Sequence, residues 1–268
     1  MKSLTAFWLL LRGGAHIAGG WWTIRTRFPR LTQSQREAEV QRWARGFLRV
    51  WRIELDVRGA PPKDGPLLLV ANHISWLDIL VLHAAGYCRF VAKADVQGWP
   101  VIGRMASAAG TLYIARDSRR DALRVVHHMR DALLRGEVVA VFPEGTTSDG
   151  ITLLPFHANL IQAAISAHAP ALPVALQFID GRNGAMSTAP MYIGDQTLLE
   201  SVWRTLTTPG LRAVVSYGQA QSPEGRERRE WAAELRRQVD GLRNGVNAPE
   251  QIAYSPHSAR AGARFPST

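Results

Sequence analysis

Short apolar runs alternate with longer helix-like stretches along most of this chain, and this alternation restricts the folds available to it. The runs at 67–72 and 138–142 are almost entirely apolar, as expected for strands that are buried on both faces. Such strands are typical of parallel sheets, in which a helix connects each strand to the next. The pattern therefore predicts an α/β fold, a single domain with a largely parallel central sheet flanked by helices. The predicted strands are 53–57, 67–72, 89–93, 111–115, 138–142, 172–178, 191–194 and 212–218, and the predicted helices are 33–51, 75–85, 99–109, 119–136, 159–169, 197–206 and 223–243.

Composition divides the chain into three segments. Its 268 residues, 46% of them hydrophobic, suffice for one large domain or two small ones with a buried core. A turn-rich break near residue 59 separates an N-terminal helical segment, 1–58, from the predicted α/β domain, 59–244. The last segment, 245–268, is rich in Pro, Ser, Ala and Gly, which predicts a disordered tail. The single cysteine, Cys88, excludes an internal disulfide and a cysteine-rich metal site, and its strand-like surroundings predict a small core residue.

Positive charge is concentrated in the N-terminal segment. The whole chain has a net charge of +10, which indicates an acidic partner such as nucleic acid, anionic lipid or a phosphorylated small molecule. Residues 1–60 contain 11 Lys and Arg against 4 Asp and Glu, a net charge of +7, so the remaining 208 residues carry only +3. The same 60 residues hold five of the nine tryptophans. Tryptophan interleaved with arginine is typical of a membrane interface with anionic lipid headgroups.

The N-terminus does not have the pattern of a transmembrane helix. Its apolar run FWLLL stops at Arg12, and a glycine-rich stretch containing His16 follows, whereas a span needs roughly 20 predominantly apolar residues. We predict a segment that lies in, or shallowly enters, a membrane interface. A soluble helix packed on the domain is the alternative. A signal peptide is disfavoured because the small-residue cleavage site is poor.

Three polar segments directly follow apolar strands. In α/β sheets, ligands bind beyond the carboxyl ends of the strands, so these segments are expected to form a site. They are NHISWLD at 72–78, RDSRRD at 116–121 and PEGTTSDG at 143–150. The fold offers a way to bring their ionisable residues to one edge, namely His73, Asp78, Arg116 and Glu144.

His73 and Asp78 have two interpretations from local sequence. Five residues along an ideal helix turn by about 140°, so the two side chains meet only if His73 precedes the helix and Asp78 lies in its first turn. Ser75 would then be the N-cap, and Ser75 with Asp78 could be a capping-box variant and nothing more. Alternatively, the imidazole takes a proton from a hydroxyl while the carboxylate fixes its tautomer. The absence of a G-x-S-x-G elbow favours direct activation of a substrate hydroxyl.

The segment at 141–150 is the more distinctive polar loop. Backbone N–H groups and hydroxyls in such a loop can hold an anion or a polyol. It lacks the lysine and the spacing of a P-loop. The alternative is a polar turn with a solvated Glu144.

Arginines follow the predicted strand at 111–115. Arg116 can pair with phosphate through its planar guanidinium, although a local ion pair with Asp117 or Asp121 would also explain it. Arg119 and Arg120 rank below Arg116 because they are expected to begin a helix.

Taken together and in this order, the segments resemble the glycerolipid acyltransferase family, whose best-known members are the 1-acylglycerol-3-phosphate acyltransferases. The family's first motif, N-H-x4-D, matches 72–78, and its second, an arginine after a short strand, matches Arg116. The third, F-P-E-G-T-[RT]-S, matches 142–148, and the fourth, a short apolar strand with proline, matches 172–174. The resemblance covers about residues 65–180, and an N-terminal membrane-associated helical segment is also usual in bacterial members.

The resemblance implies transfer of a fatty acyl group from a thioester donor, acyl-CoA or acyl-carrier protein, to the free hydroxyl of a lysophospholipid. The first acceptor would be 1-acylglycerol-3-phosphate and the product phosphatidic acid. Besides the donor, the implied partners are membrane lipids, and no nucleic acid, metal or cofactor is expected.

The resemblance also implies roles for individual residues. His73 would be the general base, Asp78 its partner, and Arg116 would bind the acceptor phosphate. The other substrate-binding residues would be Asn72, Glu144, Gly145 and Thr146.

One departure from the family pattern concerns the acceptor. Members often follow the third motif with P-F-[KR]-x-G, whereas this chain has PFHAN, so His157 replaces the cation and Asn159 the glycine. An imidazole need not be charged at neutral pH, which suggests another headgroup such as a lyso-ornithine lipid. His157 could equally be a core residue beside the sheet.

Three other functions compete with this one. A non-catalytic lipid-binding member of the fold would keep the motifs as caps and turns. A thioesterase would use the His–Asp pair to activate water. Nucleic-acid binding through the basic, tryptophan-rich region is disfavoured by the apolar N-terminal run and the acyltransferase motifs.

Overall fold

In a computed structural model, residues 2–114 and 119–245 are described, and their strands form one seven-stranded sheet. The strands are β1 (Glu54–Arg58), β2 (Leu67–Ala71), β3 (Arg89–Lys93), β4 (Leu112–Ile114), β5 (Val138–Val141), β6 (Ala171–Asp180) and β7 (Leu211–Tyr217). The helices are α1 (Lys2–Thr26), α2 (Gln33–Val50), α3 (Leu77–Ala85), α4 (Ile102–Ala108), α5 (Arg119–Leu134), α6 (Ala158–Ser166), α7 (Leu198–Thr207) and α8 (Arg228–Arg243). Short 3₁₀ turns lie at Phe28–Arg30 and Ala94–Gly98.

The sheet has the order β1-β7-β6-β2-β5-β3-β4 and is mostly parallel. Strands β6, β2, β5, β3 and β4 run in one direction, β7 is antiparallel to β6, and β1 is parallel to β7. The predicted α/β fold with a largely parallel central sheet is confirmed. Because β2 and β5 are parallel neighbours, the polar segments that follow them emerge at the same edge. The edge strand β1 comes from the predicted N-terminal segment, so that segment contributes to the sheet itself.

Two hydrophobic clusters cover the two faces of the sheet, and β2 shows how one strand serves both. Leu67 and Leu69 pack with α1, α2, α3 and α7, whereas Leu68 and Val70 pack with α5, α6 and α8. All four side chains are buried, which explains the unbroken apolar run that predicted a central strand. Cys88 is also buried, as predicted, and burial raises the pKa of its thiol.

One predicted strand is wrong, and the predicted start of the last helix is the boundary that differs most from the structure. The apolar run at 191–194 is irregular rather than a strand, because side chains from elsewhere bind its carbonyls in place of a neighbouring strand. The last helix begins at Arg228 rather than near residue 223. Glu227 is its N-cap, and the Glu227 carboxylate accepts hydrogen bonds from the backbone N–H groups of the first turn. The predicted disordered tail lies outside the described residues, apart from Gly245.

Helix α1 runs without a break through its four glycines, and two of them, Gly13 and Gly20, are points of close contact with tryptophans of α2 and its C-cap. A Cβ at Gly13 would overlap the indole of Trp51, and a Cβ at Gly20 would overlap that of Trp43. The Trp43 indole N–H donates to His16 O at 3.2 Å, and His16 Nε2 lies 2.9 Å from Trp43 O. One face of α1 is thereby fixed against the domain. Within the described part of the chain, no helix combines the length and apolar character that crossing a bilayer requires.

The pH dependence of stability should contain a contribution from His83, which is buried in α3 against Tyr87 and Phe90. Burial lowers the pKa of His83 from 6.5 to about 4. Between these values the unfolded chain binds a proton that the folded chain does not, so stability is lost as pH falls from 6.5 towards 4. The full loss is about 3 kcal/mol. His83→Phe keeps a ring but has no group that titrates in this range. Between pH 7.5 and pH 4.5, we expect the free energy of unfolding of the wild type to fall by about 2–3 kcal/mol more than that of His83→Phe, measured by denaturant unfolding.

The exposed His128 of α5 offers a matched control. In His128→Gln, the free energy of unfolding should differ between pH 7.5 and pH 4.5 by the same amount as in the wild type. If the stability of the wild type and of His83→Phe depended equally on pH, His83 would not be the source of this contribution.

Candidate active site

His73 lies in the loop between β2 and α3, and Asp78 lies in the first turn of α3. His73 Nδ1 is 2.8 Å from Asp78 Oδ2. This is the only arrangement in which a five-residue spacing allows the two side chains to meet, because on one continuous helix they would point apart. The structure therefore brings the predicted pair together at the carboxyl edge of the sheet.

The Asp78 carboxylate also holds the loop that carries His73. Besides His73, Asp78 Oδ2 accepts hydrogen bonds from Ile74 N at 2.6 Å and Ser75 N at 2.9 Å. The Ser75 hydroxyl accepts from Leu77 N at 3.2 Å and does not complete a reciprocal capping box. The two interpretations of this segment are thus compatible, since one buried oxygen caps the turn and contacts the imidazole.

These contacts assign the tautomer of His73. Two backbone N–H groups already donate to Asp78 Oδ2, so the hydrogen of the His–Asp contact belongs on Nδ1. Nε2 then carries the lone pair. The His73 side chain is 18% exposed, and its ring stacks on Phe142 with centroids 4.0 Å apart and planes at 8°. The imidazole is thereby held in one plane, and in the described part of the chain its Nε2 has no hydrogen-bond partner.

Both carboxylate oxygens of Glu144 accept hydrogen bonds from backbone N–H groups of the site. From the sequence, this side chain was expected to contact the acceptor instead. Glu144 Oε1 accepts from His73 N at 2.7 Å, and Oε2 accepts from Leu154 N at 2.9 Å. The residue is only 4% exposed. Burial raises the pKa of the Glu144 carboxyl, and the two backbone hydrogen bonds oppose that rise. The carboxylate joins the loop of His73 to the far part of its own loop, and a solvated turn is excluded.

Ser148 fixes the other main-chain group of His73, a role that sequence reasoning missed. His73 O accepts from Ser148 N at 2.8 Å and from Ser148 Oγ at 3.1 Å. With the bond from His73 N to Glu144, both polar backbone groups of His73 are therefore tied to the loop at 142–148. The position of Ser148 within that motif was the only available signal.

Asn72 was expected to bind substrate, and the structure corrects this. Its side chain is fully buried. The Nδ2 group donates to Leu176 O at 3.0 Å, and Oδ1 accepts from Leu176 N at 2.7 Å. Because both ends of the amide pair with one backbone unit of β6, Asn72 anchors the end of β2 and positions the adjacent His73.

Gly145, Thr146 and His157 form the exposed part of the site. Gly145 adopts a left-handed conformation with φ of 74°, and a Cβ there would lie 3.0 Å from His157 Cδ2. The imidazole of His157 therefore packs on Gly145, at the start of α6. The interpretation of His157 as a core residue is wrong because the residue is exposed. It remains available to an acceptor that approaches the third motif.

The predicted phosphate ligand, Arg116, lies outside the described residues, as does its pairing with Asp117. Arg119 begins α5, as expected from sequence. Among residues 2–114 and 119–245, no group of three or more His, Cys, Asp or Glu side chains is placed to hold a metal ion. The described site therefore offers an oriented imidazole base beside exposed backbone, which suits removal of a proton from a hydroxyl.

Comparison with known proteins places this site in a family. Residues 53–177 match the family model described as Acyltransferase. The 1-acyl-sn-glycerol-3-phosphate acyltransferase of Neisseria meningitidis is 40% identical over 183 residues, which cover 68% of this chain and 71% of that protein. The chain belongs to the acyltransferase family. This acyltransferase is also 33% identical over 232 residues to the lyso-ornithine lipid O-acyltransferase of Pseudomonas aeruginosa, covering 86% of this chain and 88% of that one.

The fold of this acyltransferase has a counterpart among solved structures. The crystal structure of the 1-acyl-sn-glycerophosphate acyltransferase PlsC from Thermotoga maritima superimposes with a TM-score of 0.66. That match covers 92% of this chain and 96% of the other, at 20% identity, and supports the shared fold. The family model ends at residue 177 and thus includes His73 and Glu144 but not α7 or α8.

Proposed function

We propose that this acyltransferase moves a fatty acyl chain from a thioester donor, acyl-CoA or acyl-carrier protein, to the free hydroxyl of a lysolipid. The observation that carries the proposal is the His73–Asp78 pair, in which Nδ1 contacts the carboxylate and Nε2 has no hydrogen-bond partner among residues 2–114 and 119–245. The names of the relatives in Neisseria meningitidis and Pseudomonas aeruginosa support a lysolipid acceptor. The first acceptor to consider is 1-acylglycerol-3-phosphate, with phosphatidic acid as product.

The reaction needs a single base that later acts as an acid. His73 Nε2 takes the proton of the acceptor hydroxyl as its oxygen attacks the thioester carbonyl carbon, and a C–O bond forms. The C–S bond then breaks, and the imidazolium returns the proton to the leaving sulfur. Asp78 stabilises the transient imidazolium through Nδ1–H. No covalent enzyme intermediate is required.

The groups proposed to hold the acceptor lie around the exposed part of the third motif. Gly145 and Thr146 present main-chain and hydroxyl groups at the surface beside the loop that binds His73. Arg116 is proposed to bind a phosphate, because its guanidinium can form two parallel hydrogen bonds with phosphate oxygens.

Acyl transfer in vesicles or detergent tests the proposal directly. One labelled acyl chain is supplied as acyl-CoA and as acyl-carrier protein, with a panel that includes lysophosphatidic acid and a lyso-ornithine lipid. The proposal expects acceptor-dependent product. Free fatty acid at the same rate with and without acceptor would support a thioesterase instead, and no product with any acceptor would favour a binding-only protein.

A lyso-ornithine lipid is the second candidate acceptor, favoured by His157. This histidine stands against Gly145 where family members often have a lysine or arginine. A permanent cation there is expected to strengthen a phosphate contact by about 1.5 kcal/mol, roughly tenfold in affinity. We expect His157→Lys to raise kcat/KM for lysophosphatidic acid about tenfold relative to the lyso-ornithine lipid.

Asn159→Lys is the control for the His157 variant, since it adds the same charge two residues further along α6 at another exposed position. It should leave the ratio of the two acceptors unchanged. An unchanged ratio in His157→Lys would show that this position does not contact the headgroup.

Membrane association is proposed to use the outer face of α1. While Ala6, Leu9, Gly13 and Gly20 face the domain, a second apolar stripe at helical spacing faces outward. Its large members, each at least half exposed, are Leu4, Phe7, Trp8, Leu11 and Trp22. An amphipathic helix of this kind lies in the interface plane with its apolar face among the acyl chains. The net positive charge of residues 1–60 suits the anionic cytoplasmic leaflet of a bacterial inner membrane.

Two neighbouring elements extend this surface. Helices α4 and α7 both contact α1. Their exposed apolar residues, together with those just before α4, are Trp99, Val101, Ile102, Leu198, Leu199 and Trp203. We propose that the exposed apolar residues of these three contacting elements meet the bilayer together, which fixes the orientation of the domain better than one helix does.

Partition into anionic vesicles should fall sharply when the α1 stripe is made polar. Each large apolar side chain contributes about 1.5 kcal/mol or more on burial. We expect Phe7→Ser with Trp8→Ser to weaken binding about 100-fold, measured by vesicle flotation at fixed salt. The control is Leu123→Ser with Leu134→Ser, two equally exposed leucines on α5 beyond the other face of the sheet. If both double variants lost vesicle binding equally, or if neither lost any, the proposed orientation would be wrong.

A further inference from the structure

A segment outside the four family motifs lies across both loops of the site. Residues 189–192, called the 189–192 segment below, contact the first loop through Tyr192 N, which donates to Ile74 O at 3.2 Å. They contact the third-motif loop through Tyr192 O, which accepts from the Thr147 hydroxyl. One residue of the segment therefore bridges the loop of His73 and the loop of Glu144.

Helix α7 holds this segment from the other side. The hydroxyl of Ser201 lies 3.2 Å from both Pro190 O and Met191 O, which share its single hydrogen. Arg204 Nε donates to Ala189 O at 2.9 Å, and its Nη2 donates to Met191 O. These side chains satisfy the carbonyls that a neighbouring strand would otherwise bind, and so fix an irregular backbone in place.

Ser201 connects the 189–192 segment to the residues beside His73. Pro190 O also accepts from the Ser75 hydroxyl at 2.5 Å. The indole N–H of Trp76 donates to Ser201 Oγ at 3.1 Å. Ser75 and Ser201 are completely buried, so each lost hydrogen bond would leave a polar group without water to replace its partner.

The same residues set the direction of the Asp78 carboxylate. Asp78 Oδ2 is bound by Ile74 N and Ser75 N. The carbonyl of Ile74 and the hydroxyl of Ser75 are in turn bound by the 189–192 segment. A shift of that segment would turn the two peptide N–H groups and move the carboxylate that orients His73.

We propose that Ser201 is a positioning residue for the His73–Asp78 pair, acting through Pro190 and Trp76. This proposal rests on the proposed function for its kinetic consequence, but its geometric consequence can be measured without turnover. Removal of the hydroxyl leaves the substrate contacts in place and loosens the imidazole. A displacement of the order of 1 Å at a reacting group can cost about 100-fold in rate.

Ser201→Ala tests the proposal, with Ser216→Ala as the control because Ser216 is an equally buried serine, in β7. Steady-state kinetics should show a 10- to 100-fold lower kcat in Ser201→Ala, with KM for donor and acceptor within about twofold of wild type. The control should keep its kcat. Equal kcat in the two variants, or a change confined to KM, would overturn the proposal.

Nitrogen-15 NMR of the His73 ring gives the independent readout. In the wild type the ring should be protonated at Nδ1 alone, and in Ser201→Ala it should show a mixture of tautomers. If the wild type proved inactive with every acceptor, the proposed function would fail, yet the tautomer measurement would still decide the role of Ser201. An unchanged His73 spectrum in Ser201→Ala would overturn that role even in an active enzyme.

Trp76→Phe provides a second variant should Ser201→Ala fold poorly. It keeps an aromatic ring but replaces the indole by a smaller phenyl ring, which removes the N–H that donates to Ser201 Oγ. We expect the same direction of change in kcat and in the His73 spectrum, with a smaller amplitude. Wild-type behaviour in both measurements would count against the proposal.

Discussion

Replacement of His73 by alanine is expected to lower kcat for acyl transfer by about 1,000-fold or more, since a positioned general base typically contributes 100- to 10,000-fold. Asp78 contacts Nδ1, which leaves Nε2 as the ring nitrogen that can take a proton, and alanine supplies no such base. The fold should survive, because the backbone of residue 73 keeps its bonds to Glu144 and Ser148. Product formation with a labelled acyl donor measures the effect.

Vesicle flotation separates catalysis from binding in the same His73→Ala protein. Binding should match the wild type, because the apolar surface of α1 is unaltered. His128→Ala, at an exposed position on α5, controls for loss of an imidazole and should retain full turnover. His73→Ala turnover above about a tenth of wild type would exclude the general-base mechanism. Retained biological activity without turnover would favour a lipid-binding role.

Asp78→Asn is expected to cause a comparable loss, about 1,000-fold in kcat, for a different reason. If the amide oxygen takes the place of Oδ2, the imidazolium loses its negative partner. If the amide nitrogen takes that place, it faces the N–H groups of Ile74 and Ser75 and forces the His73 proton onto Nε2. Neither orientation leaves a base that is both free and stabilised.

Asp78→Asn should also lower stability, by about 1–3 kcal/mol, because the buried N–H groups of Ile74 and Ser75 lose either the charge of their acceptor or the acceptor itself. Kinetics and denaturant unfolding measure the two effects separately. Asp131→Asn is the control, because its carboxyl lies at the surface of α5 beside Arg130. It should change neither kcat nor the free energy of unfolding. A normal kcat in Asp78→Asn would mean that this carboxylate serves only as a helix cap.

The meeting of His73 and Asp78 followed from sequence because it depends on local geometry. A buried strand, a short loop and a helix start are each visible in the residue pattern, and their order permits only one way for the two side chains to approach. The sequence also predicted that the third motif lies at the same edge of the sheet, because the carboxyl ends of parallel strands lie at one edge. The relation to acyltransferases depended on the same local motifs.

The roles of Asn72 and Glu144 could not be obtained in this way. Both are polar residues beside a predicted site, and a polar side chain does not reveal its partner. The Asn72 amide pairs with Leu176, 104 positions away in sequence, and one Glu144 oxygen pairs with the backbone of His73, 71 positions away. Only the folded chain decides whether such groups meet a substrate or a backbone.

By itself, the sequence determined the α/β class and the edge at which the site forms, and it permitted the pairing of a histidine with an aspartate. These features depend on apolar periodicity and on spacing within a few residues, which act before any distant contact forms. The tertiary structure decided the course of the 189–192 segment, the packing of the α1 glycines on indole rings, and the use of Glu144 as a bridge between loops. Each of these depends on which distant groups become neighbours, because a buried hydrogen-bonding group or a close backbone approach is satisfied by whatever the fold places beside it.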